Sequence, residues 1–257
     1  QSLIEKLALK PNPYNLKPEI VWLEHKIPGR WLTQNPLKSI YLKLSRKTKV
    51  ITVSKFAKDK FLELGVPQNN INFIYPSIQV PNRQSPVANH FTIGTLSRLD
   101  QEKGIFSFLK IITAALKTNP DWKILIAGEG PEKSLVSDYL ISNNLEKQIK
   151  LLGFINDKEK FFSQISVLAY PTEAEESFGI AALEALAYGV PVVAASRGGL
   201  PEIISPHLLV NQPADWIEKL NLLATNKQLL QAHQKKALES AQKFSETAMF
   251  YEFSKLV

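Results

Sequence analysis

The chain has 257 residues, 44% of them hydrophobic, which is enough for one large domain or two smaller domains with buried cores. It contains no cysteine, which excludes disulfides and thiolate metal sites, and no apolar run approaches the ~18 residues of a membrane span. The net charge of +7 is not accompanied by an aromatic-interleaved basic motif or by zinc-finger spacing, so nucleic acid is not an expected partner.

The first third of the chain carries the excess of positive charge. Residues 1–82 contain 13 Lys/Arg and 5 Asp/Glu, whereas residues 83–257 contain 18 and 19. The densest cationic stretch alternates with apolar residues as in an amphipathic helix: Lys38, Lys43, Arg46, Lys47 and Lys49, with Leu37, Ile40, Tyr41, Leu42 and Leu44. Such a helix would attract an anionic membrane or a phosphate-bearing substrate, and the alternative is a solvated helix face.

Nine short apolar runs alternate with helical patterns along the chain. They are Ile20–Leu23, Val50–Val53, Ile71–Ile74, Phe91–Leu96, Lys123–Ala127, Ile149–Leu152, Val167–Tyr170, Pro191–Ala194 and Leu208–Val210. The alternation predicts an α/β fold with parallel sheets covered by helices on both faces. A proline-containing stretch without an apolar period predicts a linker at 81–90, between domains at 1–80 and 91–243. Ser245 is a candidate N-cap for a last helix within 244–257.

Polar and glycine residues follow four of the runs in the second domain, at the sheet edge where ligands bind in open α/β folds. The first loop, in FTIGTLSRLDQEKGI, contains Arg98 and Lys103, two cations suited to two phosphates. The second, AGEGP, contains Gly128, which permits close approach of another backbone. Taken alone, the first loop is explained by ordinary surface cations and the second by a structural turn, so their weight depends on the loops that follow.

The third and fourth loops supply carboxylates and further glycines. In YPTEAEESFGIAALEALAYGVP, Glu176 precedes a helix that we expect to begin near Ile180, and Glu184 lies about one turn inside it. The helix start favours phosphate, Glu184 suits ribose hydroxyls, and Glu176 suits a sugar hydroxyl. The alternative is an acidic loop that compensates the helix dipole. In SRGGLPEI, Gly198 and Gly199 would let main-chain amides close on a ligand.

Three segments of the chain, in their order and at their separations, resemble the C-terminal domain of glycosyltransferase family four, the group 1 set of retaining GT-B enzymes. These segments are RLDQEKG, AGEGP and EESFGIAALEALAYGVPVVAASRGGLPEI. The resemblance covers about residues 45–257. It implies a GT-B architecture with a complete C-terminal Rossmann-like domain, a partial N-terminal one, and a final helix that packs back on the first domain. It also implies metal-independent transfer with retention, without a cofactor, from a nucleoside-diphosphate sugar to a glycan or lipid-linked acceptor.

The resemblance further implies roles for individual residues. It assigns the donor diphosphate to Arg98 and Lys103, the ribose to Glu184, the transferred sugar to Glu176, and backbone contacts with the donor to Phe178, Gly179 and Ile180. His25, in WLEHKIPGRW, would contact the transferred sugar or the acceptor. The alternative for a lone His after a strand is a structural role. We expect Glu24 to be only a neighbouring charge.

The chain also departs from the family pattern. It lacks the Gly-rich loop with which family members open, and residue 1 is Gln, so we expect an upstream segment to be missing. Such a fragment would bind the donor without transferring sugar. We expect a cytoplasmic protein, in peripheral contact with the inner membrane face if the basic helix binds anionic lipid.

Two other interpretations stay open. One is another GT-B enzyme, such as a nucleotide-sugar epimerase or a phosphorylase, but neither the extra acid/base carboxylates nor the cofactor lysine can be placed. The other is a non-catalytic module that binds nucleotide sugars. A covalent intermediate on Glu176 is not favoured, because a departing diphosphate needs cations and amides more than a nucleophile.

Overall fold

The computed structural model describes residues 20–81 and 90–256. The strands within these ranges are β1 Val21–Glu24, β2 Lys49–Thr52, β3 Ile71–Phe73, β4 Thr92–Leu96, β5 Lys123–Ala127, β6 Ile149–Gly153, β7 Val167–Tyr170, β8 Val192–Ala195 and β9 Leu209–Val210. The α-helices are α1 Arg30–Thr33, α2 Leu37–Ser45, α3 Lys55–Leu64, α4 Ile105–Leu116, α5 Lys133–Ser142, α6 Lys158–Phe162, α7 Ile180–Ala187, α8 Pro213–Thr225, α9 Lys227–Gln242 and α10 Glu246–Ser254.

The strands form two separate sheets in which every neighbouring pair is parallel. The smaller sheet has the order β1-β2-β3, and the larger sheet has the order β6-β5-β4-β7-β8-β9. All nine predicted runs are strands, and no boundary is displaced by more than one residue. The predicted α/β fold with parallel sheets is therefore confirmed.

The larger sheet reverses its strand order between β4 and β7. The chain runs outward from β4 through β5 to β6, then returns to pair β7 with the other side of β4. The connections after β4 and β7 therefore lie on opposite faces of the sheet, which leaves a crevice between the two loops. Helices cover both faces: α7 packs on α9, and α4 packs on α8, where the Phe108 and Trp216 rings are 5.1 Å apart.

The smaller sheet carries α2 and α3. Ser54 caps the start of α3, and its hydroxyl accepts a hydrogen bond from the Ala57 amide at 2.9 Å. Gly65, in the left-handed conformation, caps the end of the helix. The predicted basic helix is present but shorter than the cationic stretch, because α2 ends at Ser45 and Lys49 already belongs to β2.

The C-terminal segment returns to the smaller sheet. Ser245 caps α10 as predicted, and its hydroxyl accepts from the Ala248 amide at 3.2 Å. The Lys49 ammonium donates to the Leu256 carbonyl oxygen at 2.6 Å, which holds the end of this segment against β2. The domain limits stay a prediction, since most of the proposed linker falls outside the described residues. Among those residues, no helix is both long and apolar enough to span a membrane.

Candidate functional site

A cleft of about 900 Å³ lies between the two sheets. Its walls come from the carboxyl ends of β1, β2 and β3, from the end of β7 and the start of α7, and from α10. Most of the lining side chains are apolar. The polar and charged lining residues are Glu24, His25, Lys26, Thr52, Tyr75, Ser77, Tyr170, Glu176 and Ser177.

The loop between β4 and α4 is fastened to the end of β7. Asp100 accepts a hydrogen bond from the Lys103 amide at 3.1 Å, which closes a tight turn. The carbonyl oxygen of Glu102 accepts from the Glu173 amide at 2.9 Å and from the Thr172 hydroxyl at 3.1 Å. These bonds hold the Lys103 side chain beside the residues that follow β7.

Lys103 and Glu176 form an ion pair at the switch in strand order. The Lys103 ammonium contacts the Glu176 carboxylate, and only 22% of the Lys103 side chain is exposed. Tyr170 lies behind the pair, and its pKa is raised by burial and by the negative charge of Glu176. The structure therefore brings together two of the predicted site residues, one from each side of the crevice.

Arg98 does not join this pair. Its side chain is 64% exposed, its Nε contacts the Asp100 carboxylate, and its Nη2 lies 3.8 Å from Glu102 Oε2. Two carboxylates of its own loop therefore hold the guanidinium away from Lys103.

The start of α7 faces the cleft. Phe178, Gly179 and Ile180 all line it. The Phe178 ring is buried, with ring-centroid distances of 5.7 Å to both Tyr75 and Phe244, so only its backbone is free to contact a ligand. Helix α7 begins at Ile180, as predicted, and its first-turn amides lack intrahelical partners.

Glu184 lies one turn inside α7, as predicted. Its Oε1 accepts from the Lys158 ammonium at 2.6 Å. Lys158 belongs to α6, and the sequence pattern did not single it out, because the contact joins two helices separated by a strand and a loop.

The predicted glycines allow the loops around the cleft to pack closely against each other. Gly198 adopts φ +60°, and a Cβ at this position would lie 2.1 Å from the Glu176 carbonyl oxygen. The Gly199 amide donates to that oxygen at 2.8 Å, so it holds the Glu176 backbone rather than being free for a ligand. At Gly128, the Ser97 carbonyl oxygen occupies the place of a Cβ. These glycines permit the close approach of neighbouring loops.

The end of β1 supplies a histidine and a carboxyl group. His25 is exposed and lines the cleft, on the side expected from the sequence. Glu24 is more than the neighbouring charge that we expected, because it also lines the cleft, is only 7% exposed, and accepts from the Tyr41 hydroxyl at 3.0 Å. Burial raises the pKa of Glu24, and the hydrogen bond from Tyr41 lowers it by less.

Direct hydrogen bonds connect the α7 loop with the smaller sheet. The Ile27 amide donates to Ser177 Oγ at 3.1 Å, and the Ser54 hydroxyl donates to the Ser177 carbonyl oxygen. Sequence reasoning missed Ser177, although its place between Glu176 and Phe178 was a signal.

Glu202 makes a second connection between the two sheets. Its carboxylate accepts from the amides of Lys55 at 3.0 Å and Phe56 at 2.7 Å, in the first turn of α3, and from the Tyr75 hydroxyl at 2.8 Å. A carboxylate at a helix start offsets the positive end of the helix dipole. Within residues 20–81 and 90–256, no group of three or more His, Cys, Asp or Glu side chains could hold a metal ion.

Two curated relatives match about two thirds of the chain. An uncharacterised glycosyltransferase of Methanocaldococcus jannaschii is 30% identical over 182 residues, which cover 64% of this chain and 46% of that protein. The 2-deoxystreptamine N-acetyl-D-glucosaminyltransferase of Niallia circulans is 26% identical over 181 residues, 66% of this chain and 46% of that protein. The chain therefore spans about half the length of these relatives.

A solved structure shares the fold. The Anabaena protein HepE, crystallised in complex with UDP and glucose, superposes with a TM-score of 0.81 at 20% identity, over 93% of this chain and 71% of that one. This likeness agrees with the GT-B architecture that the sequence motifs implied.

Residues 80–244 match the family described as "Glycosyl transferases group 1". This range is more than half of the chain, and it contains the loops after β4, β5, β7 and β8 on which the resemblance was based. The chain belongs to the group 1 glycosyl transferases.

Proposed function

We propose that this chain is the donor-binding part of a retaining, metal-independent glycosyltransferase that moves a hexose from a nucleoside-diphosphate donor to a glycan or lipid-linked acceptor. The observation that carries the proposal is the contact between Lys103 and Glu176 in the crevice beside the start of α7. A cation, a carboxylate and the first-turn amides of a helix converge there, as recognition of a sugar diphosphate requires.

Charge balance explains how this pair would respond to the donor. Without a ligand, the Lys103 charge is compensated by Glu176. A diphosphate at the start of α7 competes for the ammonium, which frees the Glu176 carboxylate to accept hydrogen bonds from hydroxyls of the transferred sugar. In this arrangement Glu184 binds the ribose, and Arg98 reaches the diphosphate after leaving Asp100.

The chemistry follows from the charges that develop in the transition state. Cleavage of the bond between sugar and diphosphate creates an oxocarbenium-like centre and a departing dianion. Lys103, Arg98 and the α7 amides stabilise the departing charge without a metal ion. The acceptor hydroxyl then attacks from the face that the diphosphate leaves and gives its proton to the departing phosphate oxygen, which preserves the anomeric configuration. His25, which lines the cleft, would contact the acceptor.

The acceptor and the location are part of the same proposal. The Niallia circulans relative is named as an N-acetylglucosaminyltransferase and the Anabaena structure contains UDP, so UDP-linked sugars are the first donors to test. A lipid-linked acceptor fits the basic first third of the chain, and with it a cytoplasmic protein in peripheral contact with the inner membrane face.

Calorimetric titration of the chain with UDP, GDP and their sugar conjugates tests donor binding. We expect saturable binding of one base, and an increase in Kd of about 30-fold for Lys103→Gln, since a charge-assisted hydrogen bond is worth about 2 kcal/mol. Glu184→Gln should also weaken binding. Lys235→Gln, which alters an exposed Lys–Glu pair on α9, is the control and should leave Kd unchanged.

Two outcomes would contradict parts of the proposal. Absence of binding at millimolar nucleotide, both for this chain and for the natural-length protein, would exclude the donor site. Binding without sugar transfer by the natural-length protein would favour a non-catalytic nucleotide-sugar-binding module. The anomeric configuration of the product, followed by NMR in the presence of a chelator, tests retention and metal independence together.

A further inference from the structure

Helix α2 has an apolar face that points away from the rest of residues 20–81 and 90–256. Leu37, Ile40 and Leu44 are 53%, 54% and 46% exposed, and their spacing places them in one stripe along the helix. The side of the helix that faces the smaller sheet holds Tyr41 and Leu42, which pack against the core of that sheet. The helix is therefore apolar on both sides, although one side is enough to fix it to the sheet.

The stripe lies in the most basic segment of the chain. Between residues 25 and 58 there are nine Lys/Arg and no Asp/Glu. At about 100° per residue, Lys43 falls on one flank of the stripe, and Arg46 and Lys47 directly follow the end of the helix. Lys43, Arg46 and Lys47 are exposed, and none has an ion-pair partner among the described residues.

We propose that the stripe of α2 (Leu37, Ile40 and Leu44) docks into an anionic membrane surface while Lys43, Arg46 and Lys47 bind lipid phosphates. An apolar stripe flanked by cations whose long stems reach toward the polar interface is the pattern of a helix that lies in the membrane plane. Cations alone would suit nucleic acid equally well, but three exposed aliphatic side chains would stay in contact with water on a nucleic acid.

The position of α2 relates the proposed membrane contact to the reaction. Helix α1 connects α2 to the His25–Lys26 wall of the cleft, so the docking stripe and the acceptor side of the cleft lie on consecutive elements. This inference rests on the proposed function in one respect: a membrane at α2 would present a lipid-linked acceptor to the same cleft.

The absence of cysteine from the chain allows a site-specific test. A polarity-sensitive fluorophore on Ile40→Cys reports insertion into phosphatidylcholine vesicles prepared with or without phosphatidylglycerol. Ile141→Cys is the matched control, because Ile141 is an exposed isoleucine, 55% accessible, on α5 beside the larger sheet. We expect a blue shift at position 40 only, with the anionic vesicles only, and its loss at high salt.

Three results would overturn the proposal. They are no shift with anionic vesicles, an equal shift at position 141, and a probe at position 40 that is already in an apolar environment without vesicles, which would mean that protein covers the stripe.

Lys43→Gln with Lys47→Gln should weaken vesicle binding on the order of 25-fold, at about fivefold per charge. UDP titration of the same variants should give an unchanged Kd, so failure of membrane docking is distinguishable from failure of the donor site.

Discussion

The Ser54 hydroxyl donates a hydrogen bond to the carbonyl oxygen of Ser177, 123 residues later in the chain. Ser54 is also the N-cap of α3, and Ser177 directly follows Glu176. The loop that carries the proposed sugar-binding carboxylate is therefore fixed to the start of a helix on the opposite side of the cleft. We infer that the relative position of the two sheets and the geometry of the donor loop are coupled.

Replacement of Ser177 tests this coupling. Ser177→Ala removes the acceptor of the Ile27 amide at 3.1 Å and leaves the carbonyl bond from Ser54 in place. Because one hydrogen bond contributes about 1 kcal/mol, we expect the Kd for the nucleotide to rise about fivefold in calorimetry. Ser163→Ala, which removes a hydroxyl from the end of α6, is the control. An unchanged Kd in Ser177→Ala would show that the donor loop keeps its geometry without this contact.

Glu202 and Tyr75 should be energetically coupled. Glu202→Gln weakens the bonds to the α3 amides and to the Tyr75 hydroxyl, and we expect a loss of about 1–2 kcal/mol in the free energy of unfolding. Tyr75→Phe should cost about 1 kcal/mol. In urea denaturation, the double variant should lose less than the sum of the two single losses. Additive losses would mean that the hydroxyl–carboxylate contact contributes nothing to stability.

Two glycines with positive φ should differ in their tolerance of alanine. At Gly189, φ is +72° and the nearest obstacle to a Cβ is the Leu238 side chain at 3.3 Å, so Gly189→Ala should cost about 1–2 kcal/mol. At Gly198, the obstacle is the Glu176 backbone at 2.1 Å, which cannot move without displacing Glu176. We expect Gly198→Ala to lose more unfolding free energy than Gly189→Ala and to abolish nucleotide binding. Equal losses, with nucleotide binding intact, would contradict the role assigned to this contact.

The buried carboxyl of Glu24 predicts a pH dependence of stability. Because its pKa is higher in the folded chain than the ordinary value of 4.5, the folded state holds this proton more tightly than the unfolded state. The stabilisation that the Glu24 carboxyl contributes is complete below a pH of 4.5, and it is lost as the pH rises through the pKa of this group in the folded chain. Glu24→Gln keeps an acceptor for Tyr41 and removes the charge, so it should become progressively more stabilising, relative to the parent chain, from about pH 4.5 to neutrality.

Urea denaturation across this pH range measures the effect. Glu239→Gln, at an exposed carboxylate on α9, is the control. A constant difference between Glu24→Gln and the parent chain would mean that Glu24 ionises as readily in the folded chain as in the unfolded one.

The sequence by itself determined the strands, the start of α7 and the family. These features depend on neighbouring residues: apolar runs extend as strands, Ser245 caps α10, and the motifs after β4 and β7 can be recognised without knowing what they touch. For the same reason, Lys103, Glu176 and Glu184 could be singled out as candidates from their spacing and from their places after strands or inside a helix.

Only the tertiary structure decided which of these groups meet. Lys103 reaches Glu176 because β4 pairs with β7, a neighbour that is distant in the chain, whereas Arg98 is held by the carboxylates of its own loop. The depth of Glu24 in the cleft likewise depends on packing across elements. Spacing along a chain shows which residues share an element, but the order of strands in a sheet determines which elements lie side by side, and a site built between two sheets depends on that order.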